Sequence, residues 1–158
     1  DFGYNHANAI LDVRFKDGEL YICGELYCFE KDTTEIIELA DKRGLDKRVR
    51  MWCDSAEPDR IKMWRRAGYR ALGVRKEPNS VKAQIDYLKG TKIHIHPSCR
   101  NTIKEIEAWK WKRDPQSNQY LDEPVDFFDD AMAALRYSIE EKRRAGRSRG
   151  PVYKPLGF

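Results

Sequence analysis

The stretch from residue 9 to residue 27 leaves little freedom in how this chain can begin to fold. Apolar side chains alternate over 9–15, Lys16-Asp17-Gly18 supplies a turn, and alternation resumes over 20–27. That pattern predicts two antiparallel strands joined as a hairpin. Beyond it the spacing switches between helical and extended. Ile36, Ile37, Leu39 and Ala40 mark a helix capped by Thr33 or Thr34 and ended near Gly44, and 49–53 reads as a third strand. Ile61, Met63, Trp64 and Ala67 mark a helix opened by Pro58 and stopped by Gly68. A strand over 71–74, a helix over 80–88 and a short strand at Ile93 and Ile95 follow. Ser98 then caps a helix carrying Ile103, Ile106 and Trp109. Residues 114–124 form a polar loop or small hairpin, and a last helix over 128–141 places Met132, Leu135 and Ile139 on one stripe. A hairpin followed by alternating strands and helices predicts an α/β domain: a mixed sheet opening with an antiparallel hairpin, with helices on both faces.

The 158 residues suit one such domain, placed at 1–142, followed by a basic tail at 143–158 that is expected to be flexible. With 41% hydrophobic and 35% charged residues, the composition argues against a disordered chain. No apolar run is long enough for a membrane span, and the start has no secretory pattern, so the expectation is the cytoplasm. Cys23, Cys28, Cys53 and Cys99 lack zinc-knuckle spacing and read as reduced structural thiols. The net charge of +4 is unevenly spread. Lys142, Arg143, Arg144, Arg147, Arg149 and Lys154 follow Glu141 with no acidic residue among them. Such a run suits contact with DNA phosphates, or equally a solvated tail. The chain opens at Asp1 inside what reads as a strand, which suggests a piece of a longer protein. It also lacks the glycine-rich phosphate loop of a motor ATPase.

Asp1, Asp54 and the pair Asp129-Asp130 stand where this architecture can bring carboxylates together: on the first strand, at the end of the third strand and at the start of the last helix. Each borders apolar residues, where a carboxylate is costly unless compensated. Clustered carboxylates repel one another. One or two hard divalent cations relieve that repulsion, and Mg²⁺ prefers such oxygen ligands. A pair of ions about 4 Å apart activates water and stabilises the leaving oxygen in phosphodiester cleavage. A plainer reading is also open for each aspartate: Asp54 and Asp129 as helix caps, favoured by the helix dipole.

Four segments, DFGYNHANA, WCDSAEPDRI, NSVKAQIDYLKGTKIHIHPSC and EPVDFFDDAMAALRY, resemble in order the C-terminal nuclease domain of tailed-phage terminase large subunits, over nearly the whole chain up to about Lys142. The resemblance implies a ribonuclease H-like fold. It also implies Mg²⁺- or Mn²⁺-dependent endonuclease cutting of concatemeric viral double-stranded DNA during genome packaging, with little sequence specificity. In the parent protein it implies an N-terminal packaging ATPase domain, partnership with the portal and the small terminase subunit, and action in the cytoplasm of the infected bacterial host rather than in the mature virion. Asp1 and Asp54 take the positions of metal ligands. Asp130 matches a place where many members carry histidine or aspartate. Many members also carry an aspartate where this chain has Ala133. Asp130, assisted by Asp129, is therefore expected to supply the third ligand, and of two implied ions the second is the less secure.

Lys82, in the segment that borders the active site of that family, is expected to neutralise the scissile phosphate or position water; otherwise it is an exposed helix residue. Glu25 supports a metal-bound water only if it faces Asp1. His94, His96 and Cys99 have a loose zinc-like spacing but no evident fourth ligand. Trp109, Lys110, Trp111, Lys112 and Arg113 interleave aromatic and basic residues; Trp109 fits the helical stripe, leaving Trp111, Lys112 and Arg113 as DNA contacts, with Arg143 and Arg144 beyond them. Arg136 and Tyr137 are expected to anchor the last helix. Two other functions compete: another ribonuclease H-like nuclease, of junction-resolvase type, or a non-catalytic DNA-binding or portal-docking module, which the alanine at 133 favours.

Overall fold

The computed structural model describes Phe2 and residues 6–109, 111–124 and 129–148. Its elements run β1 (Asn8–Lys16), β2 (Glu19–Cys28), α1 (Thr33–Lys42), β3 (Arg50–Cys53), α2 (Pro58–Arg66), β4 (Arg70–Gly73), α3 (Ser80–Lys89), β5 (Ile93–Ile95), α4 (Arg100–Ala108), β6 (Trp111–Arg113), β7 (Tyr120–Pro124) and α5 (Asp130–Ser148). The expected hairpin is present. Asp17 and Gly18 both have positive φ, 53° and 81°. This two-residue turn matches strand twist and favours an Asp-Gly pair.

Among the described residues, β1, β2 and β5 form a mixed sheet, β2 being antiparallel to β1 and parallel to β5. β3 and β4 pair in parallel, and β6 with β7 forms a hairpin. A cavity of about 1010 Å³ lies between β1 and β3, lined in part by Phe2, Ile10, Met51 and Ser138.

The β1–β2 register holds one irregularity that governs the site. Asp12 faces Gly24, but Val13 faces Ile22, so Cys23 is an extra residue and bulges outward, exposed. Side chains alternate faces along a strand, and one inserted residue swaps the faces beyond it. Leu20 and Ile22 join the core under α3, α4 and α5 with Ala9, Leu88, Met132 and Leu135. Past the bulge, Glu25 and Tyr27 continue on that face, while Leu26 turns to the opposite core with Ile36, Cys53, Ile61 and Trp64. The sheet thus carries α1 and α2 on one face and α3, α4 and α5 on the other.

Three local expectations change. The α1 cap is Asp32, not Thr33 or Thr34. Its carboxylate accepts from Glu35 N at 2.9 Å while Glu35 accepts from Asp32 N at 2.9 Å, a reciprocal pair that a threonine cap lacks here. Ser98 does not cap α4; its hydroxyl meets His96 Nδ1 at 2.7 Å. The helix start is capped instead from across the sheet. Glu25 accepts from the N–H groups of Asn101 and Thr102 at 2.9 and 2.8 Å and from both their side chains. Glu25→Ala therefore removes a helix cap and is expected to cost about 1–2 kcal/mol. Urea denaturation checks this, and a midpoint equal to that of the parent rules the cap out as a source of stability.

Finally, residues 143–148 are helical where a flexible tail was expected. Arg143 and Arg144 reach back along α5 to Glu140, and Arg144 also pairs with Glu77 in the loop before α3. Residues 149–158 lie outside the described residues.

Candidate functional site

Parallel pairing of β3 and β4 sets Cys53 beside Gly73, and Val74 N donates to Cys53 O at 2.8 Å, so the loops that follow the two strands emerge side by side. Asp54 heads one loop and Lys76 lies in the other. Lys76 Nζ is 2.5 Å from Asp54 Oδ1, Ala56 N donates to the same oxygen at 2.8 Å, and Tyr137 Oη, from α5, donates to Oδ2 at 3.1 Å. Burial works to raise the Asp54 pKa. Lys76 and the donors from Ala56 and Tyr137 outweigh it and hold the carboxyl below its ordinary range. The Asp54 side chain keeps 18% of its exposure, enough for a ligand to reach it. It does not cap α2: the cap position is Glu57, which makes no side-chain capping bond.

At the start of α5 the two adjacent aspartates part company, because successive helix positions are rotated by about 100°. Asp130 is 8% exposed and turns towards β2 and α4. Its Oδ1 meets His6 Nδ1 at 2.8 Å, and its Oδ2 accepts from Tyr27 Oη at 3.4 Å. Tyr27 also donates to Glu105 Oε1 at 2.8 Å, and Glu105 Oε2 accepts from Met132 N at 3.0 Å, tying α4 to the first turn of α5. Burial raises the pKa of Glu105 despite these donors, and burial together with Glu105 pushes that of Tyr27 up.

Asp129 instead shares neighbours with Asp54. Burial lowers the pKa of Arg136, while Tyr137, Asp129 and Asp54 act against it. Arg136 is 9% exposed, donates through Nη1 to Gln84 at 3.3 Å, and leaves Nε without a hydrogen-bond partner among the described residues. Ala133, one turn before Tyr137, packs with Val74, Tyr137 and Trp52, so this wall is apolar.

The other candidates are more scattered. Asp1 lies outside the described residues. Lys82 is exposed on α3. Trp111, Lys112 and Arg113 form β6, with Arg113 exposed. Arg143, expected in the tail, is 7% exposed and grips Glu140 through Nε and Nη2 at 3.0 and 2.8 Å; Arg144 Nε joins it at 2.7 Å. His94 bonds Glu19 at 2.6 Å and stacks on Tyr21, whereas His96 bonds Ser98. The described residues hold no group of three His, Cys, Asp or Glu placed to bind a metal. Lys76, Tyr27 and Glu105 escaped the sequence reading. Lys76 meets Asp54 only because β3 and β4 pair in parallel, an adjacency that residue spacing does not give.

A family model described as the terminase RNAseH like domain matches residues 1–141, and the chain belongs to that family. The PBSX phage terminase large subunit of Bacillus subtilis (strain 168) is 28% identical over 152 residues, covering 89% of this chain and 33% of that protein. The chain therefore spans about a third of that relative's length. The nuclease domain of the g2p large terminase of bacteriophage SPP1, solved with bound Mn, superposes with a TM-score of 0.81 at 22% identity, covering 89% of this chain and 82% of that one. The P22 large terminase nuclease domain gives 0.67 at 16%, covering 90% and 78%. The large terminase of a thermophilic bacteriophage, in complex with ATP-gamma-S, gives 0.70 at 18%, covering 88% and 38%. The fold is the ribonuclease H-like fold of terminase nucleases.

Proposed function

We propose that this chain is the nuclease of a viral packaging machine: it hydrolyses phosphodiester bonds of concatemeric double-stranded DNA, with little sequence preference, using Mg²⁺ or Mn²⁺. The observation that carries this reading is Asp54, an accessible carboxylate kept anionic at the end of β3, with Asp129 acting on the same Arg136 and Tyr137. These are hard oxygen donors, and their chemistry fits a divalent cation of that type. Asp54 and Asp129 would hold it, with Asp1 as a further ligand by family position. Bound there, the ion supplies an activated water and charge for the leaving oxygen. Tyr137 and Ala56 fix the orientation of the Asp54 carboxylate, and the buried Arg136 offsets the charge of the paired aspartates.

The metal bound to the SPP1 nuclease domain supports the cofactor class, and the nucleotide bound to the longer terminase of the thermophilic phage supports an ATPase domain in the parent protein. Portal and small terminase subunit are the corresponding partners, and the host cytoplasm is the corresponding compartment. DNA is taken to run past β6, where Lys112 and Arg113 meet phosphate, and past Lys82.

The apolar wall at Ala133 favours one second reading, a DNA-binding or portal-docking module without chemistry. Supercoiled plasmid incubated with Mg²⁺, Mn²⁺, Ca²⁺ or EDTA separates the two. Nicking and linearisation are expected with Mg²⁺ or Mn²⁺ and not with EDTA. Plasmid bound but uncut under every metal sinks the nuclease reading in favour of the module. In the same titration, Lys112→Ala with Arg113→Ala is expected to flatten the slope of log affinity against log salt by about 2, and an unchanged slope removes β6 from the path.

A further inference from the structure

The surroundings of Asp54 are already rich in positive charge. Lys76 contacts one carboxylate oxygen at 2.5 Å, and Arg136 is buried behind Tyr137, its Cζ 5.6 Å from that ring. Against them the described residues set Asp54 and Asp129, and the facing wall offers the methyl of Ala133 rather than an oxygen. With Asp1 counted by family position, three carboxylates would face Lys76, Arg136 and the four charges of two dications; a single dication leaves a much smaller excess of positive charge. Lys76 is 46% exposed on a long stem, so it exchanges one anionic partner for another at little cost in solvation. Its ammonium also lies 5.8 Å from the centroid of the Tyr137 ring.

We infer that Lys76 takes the charge role of a second metal ion: it neutralises Asp54 while the site is free, and swings to a non-bridging oxygen of the DNA phosphate when a single dication takes Asp54. The inference rests on the nuclease reading and deepens it, replacing one of the two implied ions by a side chain. Lysine suits the task because it is a compact point charge that needs no fixed bidentate geometry. The alanine at 133 and the lysine at 76 become one feature, since a wall without a carboxylate is what a site served by an ammonium requires.

The test measures Mn²⁺ binding by electron paramagnetic resonance of free Mn²⁺, and duplex binding in Ca²⁺, for the parent and for Lys76→Met, Ala133→Asp and the double variant. Lys76→Met is expected to bind Mn²⁺ about fivefold more tightly, having lost its internal competitor. It is also expected to bind duplex more weakly, with the salt slope lowered by about 0.9. Metal and DNA affinity thus move in opposite directions, which loss of a merely structural ion pair does not produce. Ala133→Asp is expected to raise Mn²⁺ stoichiometry from one to two, and with Lys76→Met to recover the cleavage that the lysine variant loses. Unchanged Mn²⁺ affinity, unchanged duplex affinity, or two ions bound by the parent overturns the inference. A parent that binds Mn²⁺ and duplex but never cuts defeats the nuclease reading alone, because both binding shifts remain measurable.

Discussion

Asp54→Asn is expected to lower plasmid cleavage in saturating Mn²⁺ by at least about 10²- to 10³-fold while leaving the fold intact. The asparagine keeps the shape: its one oxygen still accepts from Ala56 N, and its amide nitrogen donates to Tyr137 Oη where the carboxylate accepted, so the loop after β3 has no reason to move. What disappears is the negative charge. The depressed pKa of Asp54 means that its ionisation favours the folded state above its unfolded pKa, a contribution that fades as pH falls through the lower folded value. That contribution is small here, because the carboxylate is partly exposed and its lysine partner is 46% exposed. The variant should therefore melt within a few degrees of the parent, and the loss should lie in metal binding and rate. Cleavage within tenfold of the parent, with a normal melt, removes Asp54 from the chemistry. Asp129→Asn should share this behaviour in milder form. Asp130→Asn should instead lower the melting temperature, since both Asp130 oxygens serve the contacts with His6 and Tyr27.

That division between neighbours shows where sequence reading stops. The spacing of apolar residues was enough to place the hairpin, the helices and the strand ending in Asp54, because amphipathic periodicity and a required Asp-Gly turn are local properties. The bulge at Cys23 is not local: it is a mismatch between two strands, and neither strand alone betrays it. It decides which face Glu25 and Tyr27 occupy, and so sends Glu25 to α4 rather than to a metal. The acidic residues could be named but not aimed. Asp129 and Asp130 differ only in helical phase, and that phase depends on where α5 begins. Lys76 is legible only once β3 and β4 are known to be parallel neighbours, because its meeting with Asp54 is made by strand pairing rather than by spacing.

Arg143 and Arg144 misled in another way. Read as a row of charges, they belonged to a flexible tail, either touching DNA phosphates or merely solvated; the residue that captures them, Glu140, lies one turn earlier in a helix expected to end at 141. Glu140 is 2% exposed and accepts from four donors: Arg143 Nε and Nη2, Arg144 Nε, and Gln84 Nε2 at 2.9 Å. Gln84 in turn accepts from Arg136, so the network runs from the second half of α5 through α3 to the arginine beside Asp54. Burial alone would raise the pKa of Glu140, but Arg143, Arg144 and Gln84 bring it down to about 2. Glu140→Ala leaves the buried Arg143 without its counter-charge, and removing one partner of such a pair costs about 3–5 kcal/mol. For a domain of this size that lowers the melting temperature by roughly 10 °C.

The pH dependence carries the sign of a depressed carboxylate. The advantage of the parent over the variant should be complete above about pH 4.5, the ordinary value for glutamate, and shrink as pH falls towards about 2, where Glu140 protonates in the folded state. Thermal melts of both proteins between pH 7 and pH 3 check it. A gap of under about 2 °C at pH 7, or one that does not narrow on acidification, means that Glu140 is not what holds the end of α5 against α3.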